Sequence, residues 1–166
     1  TEKIDNLAVL VIDMQYGFID HIEDRNIIHH QIAVLEFCIR TKTPVIVVES
    51  LGLLSILGRT IRPLLTRIEK NPLHAYIQKG QISAFSNPSL VTVLQRFKAT
   101  KLLIMGVRAD CCVQQTAESA IKKGYKVLTS GTLIDGYRPK NKEAMTEWYQ
   151  KNTTFQFEKL IEPSFV

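Results

Sequence analysis

Short apolar runs rich in β-branched residues alternate along this chain with longer stretches whose apolar positions recur every three or four residues. Leu7–Ile12 and residues 45–48, 102–107 and 126–129 predict buried parallel strands, since a strand covered on both faces has no polar side to alternate. Residues 153–158 do alternate, with Phe155 and Phe157 on one face, and predict a fifth strand at an edge; residues 75–78 predict a sixth. Between them Ile28, Ile32, Leu35 and Ile39 fall on one helical stripe, as do Leu90, Val93, Leu94 and Phe97, and also Val113, Ala117, Ala120 and Ile121. Gly124 then reads as a C-terminal cap. A last helix over residues 141–150, carrying Ala144, Met145, Trp148 and Tyr149, follows a loop at 131–140 rich in Gly, Pro and charge. Strands alternating with helices in this way are the signature of an α/β fold, a parallel sheet covered on both faces.

Residues 51–58 break the rule that a loop leaving a strand end is polar, reading Leu-Gly-Leu-Leu-Ser-Ile-Leu-Gly. They predict the start of a helix continuing through Ile61, Leu64, Leu65 and Ile68 and packing in the core. The second reading is an apolar patch serving as a subunit interface or pocket wall.

At 166 residues the chain has the length of a single domain, residues 1–166, and its 45% hydrophobic and 22% charged residues are those of a folded globular protein. The formal charge of +5 is spread along the chain with no basic run interleaved with aromatics, which argues against a nucleic-acid partner. Three cysteines, Cys38, Cys111 and Cys112, form no disulfide framework and point to a reducing compartment. Residues 1–6 are polar, and no uncharged apolar stretch reaches the roughly 18 residues of a membrane span. The expectation is a soluble, cytoplasmic protein with no membrane partner.

The candidate chemistry sits where predicted strands end. Asp13 closes the first strand, at the sheet edge where open parallel sheets bind ligands, and partial desolvation there raises a carboxylate toward a useful general base. Cys112 follows the strand at 102–107 and opens a helix, whose unpaired amides and dipole favour a thiolate and can hold an oxyanion. Gly106, shortly before, lets the backbone swing between strand and helix. Cys111 is the rival nucleophile, but a one-residue step turns its side chain about 100° away. Lys79 follows the strand at 75–78. Each has an ordinary explanation alone: a turn-capping Asp, a buried Cys, a solvated Lys. Together they make an activated nucleophile, with the ammonium holding the carboxylate ionised and stabilising the thiolate.

Three spaced motifs strengthen that grouping. Val11 to Phe18 is similar to V-I-D-M-Q-x-x-F, Lys79 to Phe85 to K-x-x-x-S-A-F, and Gly106 to Ala117 to G-x-x-x-D-x-C-V-x-x-T-A. In this order, across nearly the whole chain, they resemble the isochorismatase-like cysteine hydrolases, the superfamily of nicotinamidases, carbamoylsarcosine amidohydrolase, ureidoacrylate amidohydrolases and isochorismatases. The resemblance implies a three-layer α/β/α, Rossmann-like fold with a six-stranded, mainly parallel sheet in which the first and fourth strands are neighbours. It implies Asp13 as base, Lys79 as its electrostatic partner and Cys112 as nucleophile. It further implies a cis peptide at Val107–Arg108, with the amides of Arg108 and Cys112 forming an oxyanion hole and Gln15 and Phe18 nearby at the substrate. Small-molecule substrates and homo-oligomers, dimers or tetramers, are the family's habit.

The departures from the pattern matter equally. Many nicotinamide-cleaving members carry an Asp and several His after the second strand to bind a divalent metal; this chain has Glu49, Ser50, Leu51 and Gly52 there, and no His until His74. No metal and no cofactor is expected. His29 and His30 are adjacent in a predicted helix, point in different directions and read as surface. Ala109 replaces a common Thr, Ser130 and Gly131 stand where an Asp is usual, and Arg108 is larger than the small or apolar residue often found there. If it faces the pocket, its planar fork suits a substrate carboxylate.

The sequence therefore predicts a hydrolase of a C–N, amide-type bond acting through a Cys112 thioester. Two alternatives stand beside it. One is ether hydrolysis of the isochorismate type on the same scaffold, though such relatives often lack the Cys. The other is a pseudoenzyme that uses residues 51–58 as a protein contact.

Overall fold

The computed structural model describes residues 3–20, 22–51 and 57–161. Among the described residues there are six strands: β1 (Leu7–Ile12), β2 (Val45–Ser50), β3 (His74–Lys79), β4 (Lys101–Val107), β5 (Lys126–Leu128) and β6 (Ile134–Asp135). Five are ordered β3-β2-β1-β4-β5, and the short β6 pairs with the end of β4 beyond β5. Every named pairing is parallel. The chain therefore winds outward in one direction from β1 to β3 and in the other from β4, so that β1 and β4 flank the switch point where such sheets open a crevice.

Alternation along the central strands explains the three layers. Leu7, Val9, Val11, Val45, Val47, Leu103 and Met105 join Val34, Leu35 and Phe37 of α2 (Asn26–Thr41) and Leu64 and Ile68 of α3 (Arg62–Lys70) in one core. Their neighbours Ala8, Leu10, Ile12, Ile46, Val48, Leu102 and Ile104 point the other way. There they meet Leu90 and Leu94 of α4 (Ser89–Arg96), Val113 and Ala117 of α5 (Cys112–Lys122) and Tyr149 of α6 (Lys142–Asn152). Because both faces are buried, β1 carries no exposed residue, as its unbroken apolar run foretells. There are also two short helices, α1 (Tyr16–Ile19) and α7 (Glu158–Ile161), with α1 placed directly after the β1 crevice end.

Gly124 ends α5 with φ +92°, and the Tyr125 N–H reaches back to the Ala120 carbonyl at 3.0 Å, the wrap-around bond of a glycine-capped helix. His29 and His30 lie exposed on α2.

Three expectations are corrected. Residues 153–158 form no strand: only Thr154 bridges to Leu128, after which the chain turns into α7. Phe155 and Phe157 consequently face opposite ways, Phe157 into the α2 side and Phe155 against Tyr149 on the other. The sixth strand instead lies inside the segment read as a loop, at Ile134–Asp135. Nor does a helix run from 51 through Ile68: Gly58 has φ +70°, Thr60 bridges to Gln15, Ile61 is extended, and α3 starts afresh at Arg62 with Pro63 in its first turn. Of the apolar segment 51–58, residues 52–56 lie outside the described residues, and with them the bulk of the proposed patch.

Candidate active site

The site is assembled by how closely two strands approach at their carboxyl ends. Ile12 is the register partner of Gly106, and a Cβ on Gly106 would sit 2.1 Å from the Ile12 carbonyl oxygen. Only glycine fits, and its φ of +137° is one that other residues avoid. The turn expected at Gly106 is thus also a contact, and it brings the residue after β1, Asp13, against the start of α5. Asp13 itself has φ +52°, its N–H held by the Val48 carbonyl at 3.0 Å. On the other side of β1, Ser50 and Lys79 are register partners at the ends of β2 and β3.

These ends bring the three expected residues together. The Lys79 ammonium lies 3.0 Å from Asp13 Oδ2, with side-chain exposures of 2% and 1%, and donates to Cys112 Sγ at 3.4 Å. It also donates to the Gln81 carbonyl at 3.3 Å. Ser50 Oγ donates to Asp13 Oδ1 at 3.1 Å, while Oδ2 has no hydrogen-bond donor among the described residues in addition to its ion pair. Cys112 is the first residue of α5, where a backbone N–H has no partner within the helix. Cys111, one step earlier, makes no side-chain capping bond.

The protonation states follow from burial. Burial raises the Asp13 carboxyl above its ordinary value, against the lowering effect of the Lys79 charge and of polar contacts with Lys79, Cys112 and Ser50. The Cys112 thiol is pushed up to about 12, by burial first and the Asp13 charge second, with Lys79 acting in the opposite sense. The helix N-terminus was expected to favour a thiolate. Burial and the adjacent Asp13 charge act in the opposite sense and favour the neutral thiol.

The segment between β4 and α5 is fixed from several sides. The Val107–Arg108 peptide is cis. The Arg108 carbonyl accepts the N–H groups of Cys111 and Val113 at 3.0 and 3.1 Å, and the Ala109 N–H donates to the Asp135 carbonyl at 2.8 Å. The buried Tyr149 hydroxyl, from α6, donates to the Ala109 carbonyl. Asp110, whose carboxylate is fully shielded, accepts the Arg138 N–H at 2.7 Å and Nε at 3.3 Å and lies 3.6 Å from Arg108 Nη2. Burial pushes its carboxyl up, but these donors and charges prevail and hold it below the ordinary carboxylate range.

Of the residues expected at the substrate, Phe18 and Arg108 line a cleft of about 300 Å³ together with Gly17, Ile22, Leu57 and Gly136. Gln15 does something else: fully buried, it accepts the Ser50 N–H at 2.7 Å and donates to the Gly58 carbonyl at 2.9 Å, tying the end of β2 to the 58–60 segment. The residues at the carboxyl end of β2 do not suit a metal. Glu49 spends its carboxylate on Thr60 N and Oγ1, at 2.7 and 2.8 Å, and on Arg59 Nε at 2.9 Å, and Ser50 points to Asp13. Among the described residues no three His, Cys, Asp or Glu side chains converge as metal ligands, and no helix is long and apolar enough to cross a membrane.

Three polar residues at the site were not singled out from sequence. Ser50 became visible through its register with Lys79. Asp110 falls inside the third motif and could have been found there. Asp135 lies where a polar loop was expected and accepts the N–H groups of Glu23 and Asp24 at 2.9 and 2.8 Å, anchoring the segment before α2 to the sheet.

Residues 7–154 match the Isochorismatase domain family. An uncharacterized isochorismatase family protein, PncA, from Bacillus subtilis (strain 168) is 29% identical over 75 residues, 45% of this chain, and the match spans 41% of that protein's length. Among solved structures, the nicotinamidase SaPncA from Staphylococcus aureus superposes with a TM-score of 0.77 at 22% identity, covering 89% of this chain and 94% of that one. The MAR1 ribonuclease from Caenorhabditis elegans gives a TM-score of 0.82 at 19% identity, covering 96% and 83%. The structural likenesses carry the fold, and the family match over the full sheet and its crevice carries the assignment: the chain belongs to the isochorismatase domain family.

Proposed function

We propose that the chain hydrolyses a C–N bond of a small amide, with Cys112 as nucleophile, Asp13 as general base and Lys79 as the cation that aligns them. The observation that carries this reading is the Lys79 ammonium standing 3.0 Å from Asp13 Oδ2 and 3.4 Å from Cys112 Sγ at the carboxyl end of the sheet. Asp13 removes the thiol proton, and the sulfur adds to the substrate carbonyl. The Lys79 charge offsets the cost of forming a buried thiolate. The negative charge moves to the carbonyl oxygen, where the amides of Arg108 and Cys112 receive it. Collapse of the tetrahedral species breaks the C–N bond, and the proton held by Asp13 leaves with ammonia or an amine. Water, deprotonated by Asp13, then cleaves the thioester and restores the thiol.

A nicotinamidase among the structural neighbours is in keeping with amide chemistry, and so is a cysteine where an ether hydrolase needs none. Purified protein mixed with a panel of primary amides, assayed for ammonia and quenched in acid for intact-mass spectrometry, tests the proposal. An acyl adduct on Cys112, lost together with turnover in Cys112→Ala, is expected. Equal turnover by Cys112→Ala would overturn the assignment.

A further inference from the structure

We propose that Arg108 is the specificity determinant of this site and that it selects an amide carrying a carboxylate on an apolar body. The proposal rests on the amide hydrolysis argued above and adds the class of substrate.

Three observations support it. Arg108 lines the same cleft as Phe18, Ile22 and Leu57, so among the described residues the wall is apolar but for one cationic side chain. The guanidinium is directed there by the fold. Gly136, at φ +87°, leaves room that a Cβ would fill 3.1 Å from Arg108 Cγ and 3.3 Å from its Cβ, and the shielded Asp110 carboxylate lies 3.6 Å from Nη2. Finally, its charge is only partly offset. Arg138 bonds Asp110 Oδ2 through its backbone N–H and Nε, and Arg108 Nη2 pairs with Oδ1 at 3.6 Å, so two arginines share one carboxylate and the cluster keeps one net positive charge, with the Arg108 side chain 40% exposed. Arg108 thus has a fixed stem and a guanidinium that touches Asp110 through Nη2 alone, at a distance too long for a hydrogen bond, so its planar fork keeps donors for a substrate carboxylate.

The cleft also adjoins the chemistry. Its wall contains Val107 and Arg108, and the Arg108 carbonyl is bonded to the N–H groups on either side of Cys112. A ligand whose carboxylate meets the guanidinium would set its apolar part against Phe18 and Leu57, in a cleft whose wall belongs to the segment that carries Cys112.

The test uses two amides of similar size, 3-carbamoylbenzoate and 3-methylbenzamide. Ammonia release gives kcat/KM for each with the unmodified protein, Arg108→Gln and Arg108→Lys. Calorimetric titration of the Cys112→Ala protein, with and without Arg108→Gln, gives affinities that do not depend on turnover. The expected result is a preference for the anion that falls about 10- to 100-fold in Arg108→Gln, the range for one hydrogen-bonded charge, and is partly kept in Arg108→Lys. Equal affinity for the two compounds, no saturable binding of either, or a preference unchanged by Arg108→Gln would overturn it. Failure of the amidase reading looks different: neither compound is hydrolysed, while the anion still binds more tightly through Arg108.

Discussion

The ammonium of Lys79 and the carboxylate of Asp13 face each other at 3.0 Å with almost no access to water. A buried pair is costly to half-remove, because the remaining charge loses both water and partner, at about 3–5 kcal/mol. Lys79→Met is therefore expected to destabilise the protein by up to that amount, less whatever Asp13 recovers by taking up a proton. Hydrolysis is expected to fall far more than stability, since a protonated Asp13 cannot act as base. Urea denaturation alongside turnover checks both, and full activity in Lys79→Met would remove Lys79 from the mechanism.

Asp13 also sets a pH dependence whose sign is opposite for activity and stability. Burial raises its folded-state value above the 3.8 of an unperturbed carboxyl, so in the window between the two the folded chain holds a proton that the unfolded chain has lost. The group's contribution to stability is present below that window and is lost as pH rises through the folded value. The catalytic base requires the reverse, so kcat/KM falls on acidification at a pH above that of an ordinary carboxylate. Rate profiles and urea titrations over the same acidic range are expected to move in opposite directions, and Asp13→Asn to remove this component from the stability curve.

Gly106→Ala is expected to be among the most damaging single-atom additions in the sheet. The new methyl group would meet the Ile12 carbonyl oxygen at 2.1 Å in a backbone conformation with φ +137°. Strain and overpacking of this kind cost at least about 2 kcal/mol together. Because the same contact positions Asp13 beside Cys112, any folded fraction should also lose activity. Thermal unfolding and turnover per folded molecule measure the two effects, and near-native values for both would mean that β1 and β4 can separate without harm.

Tyr149→Phe isolates the support given by α6 to the segment before Cys112. The hydroxyl is the side-chain donor to the Ala109 carbonyl, deep in the core, and its removal leaves a buried acceptor short of a partner at about 1–3 kcal/mol. Stability is expected to fall by that amount, with kcat reduced and KM little changed. A variant equal to the parent in both would show that the Asp135 contact to the Ala109 N–H suffices to hold the segment.

How far such relationships can be read from sequence depends on whether they are local. The central strands were legible because burial on both faces leaves a run such as Leu7–Ile12 wholly apolar, and α2 and α5 because their stripes repeat over several turns. Asp13, Lys79 and Cys112 were legible together because each stands at or after the carboxyl end of a strand and their three motifs follow in order. Residues 153–158 misled because alternation over a few residues is equally compatible with one bridge and a turn, and β6 was hidden because two residues carry no period. Gln15 stood in a motif, yet whether its amide faces the substrate or the backbone of residues 50 and 58 depends on a loop more than 30 residues away. The need for glycine at 106 depends likewise on the register of β4 against β1.

The same electrostatics separate the reactivity of the thiol from catalysis. After burial, the Asp13 charge and its contact with the sulfur are what hold the Cys112 thiol at about 12, while Lys79 pulls it down. Asp13→Asn removes the two raising influences and keeps the ammonium, so the thiol must become easier to ionise. In a Cys111→Ser background, with the buried Cys38 kept from reagent by packing, iodoacetamide should therefore label Cys112 faster at pH 8 in Asp13→Asn than in the parent. Amide hydrolysis should meanwhile collapse, because the freed thiolate has no acid to protonate the departing nitrogen and no base to activate water. Slower labelling in Asp13→Asn would mean that Asp13 promotes ionisation of the resting thiol instead of waiting, as a carboxylate, for substrate to arrive.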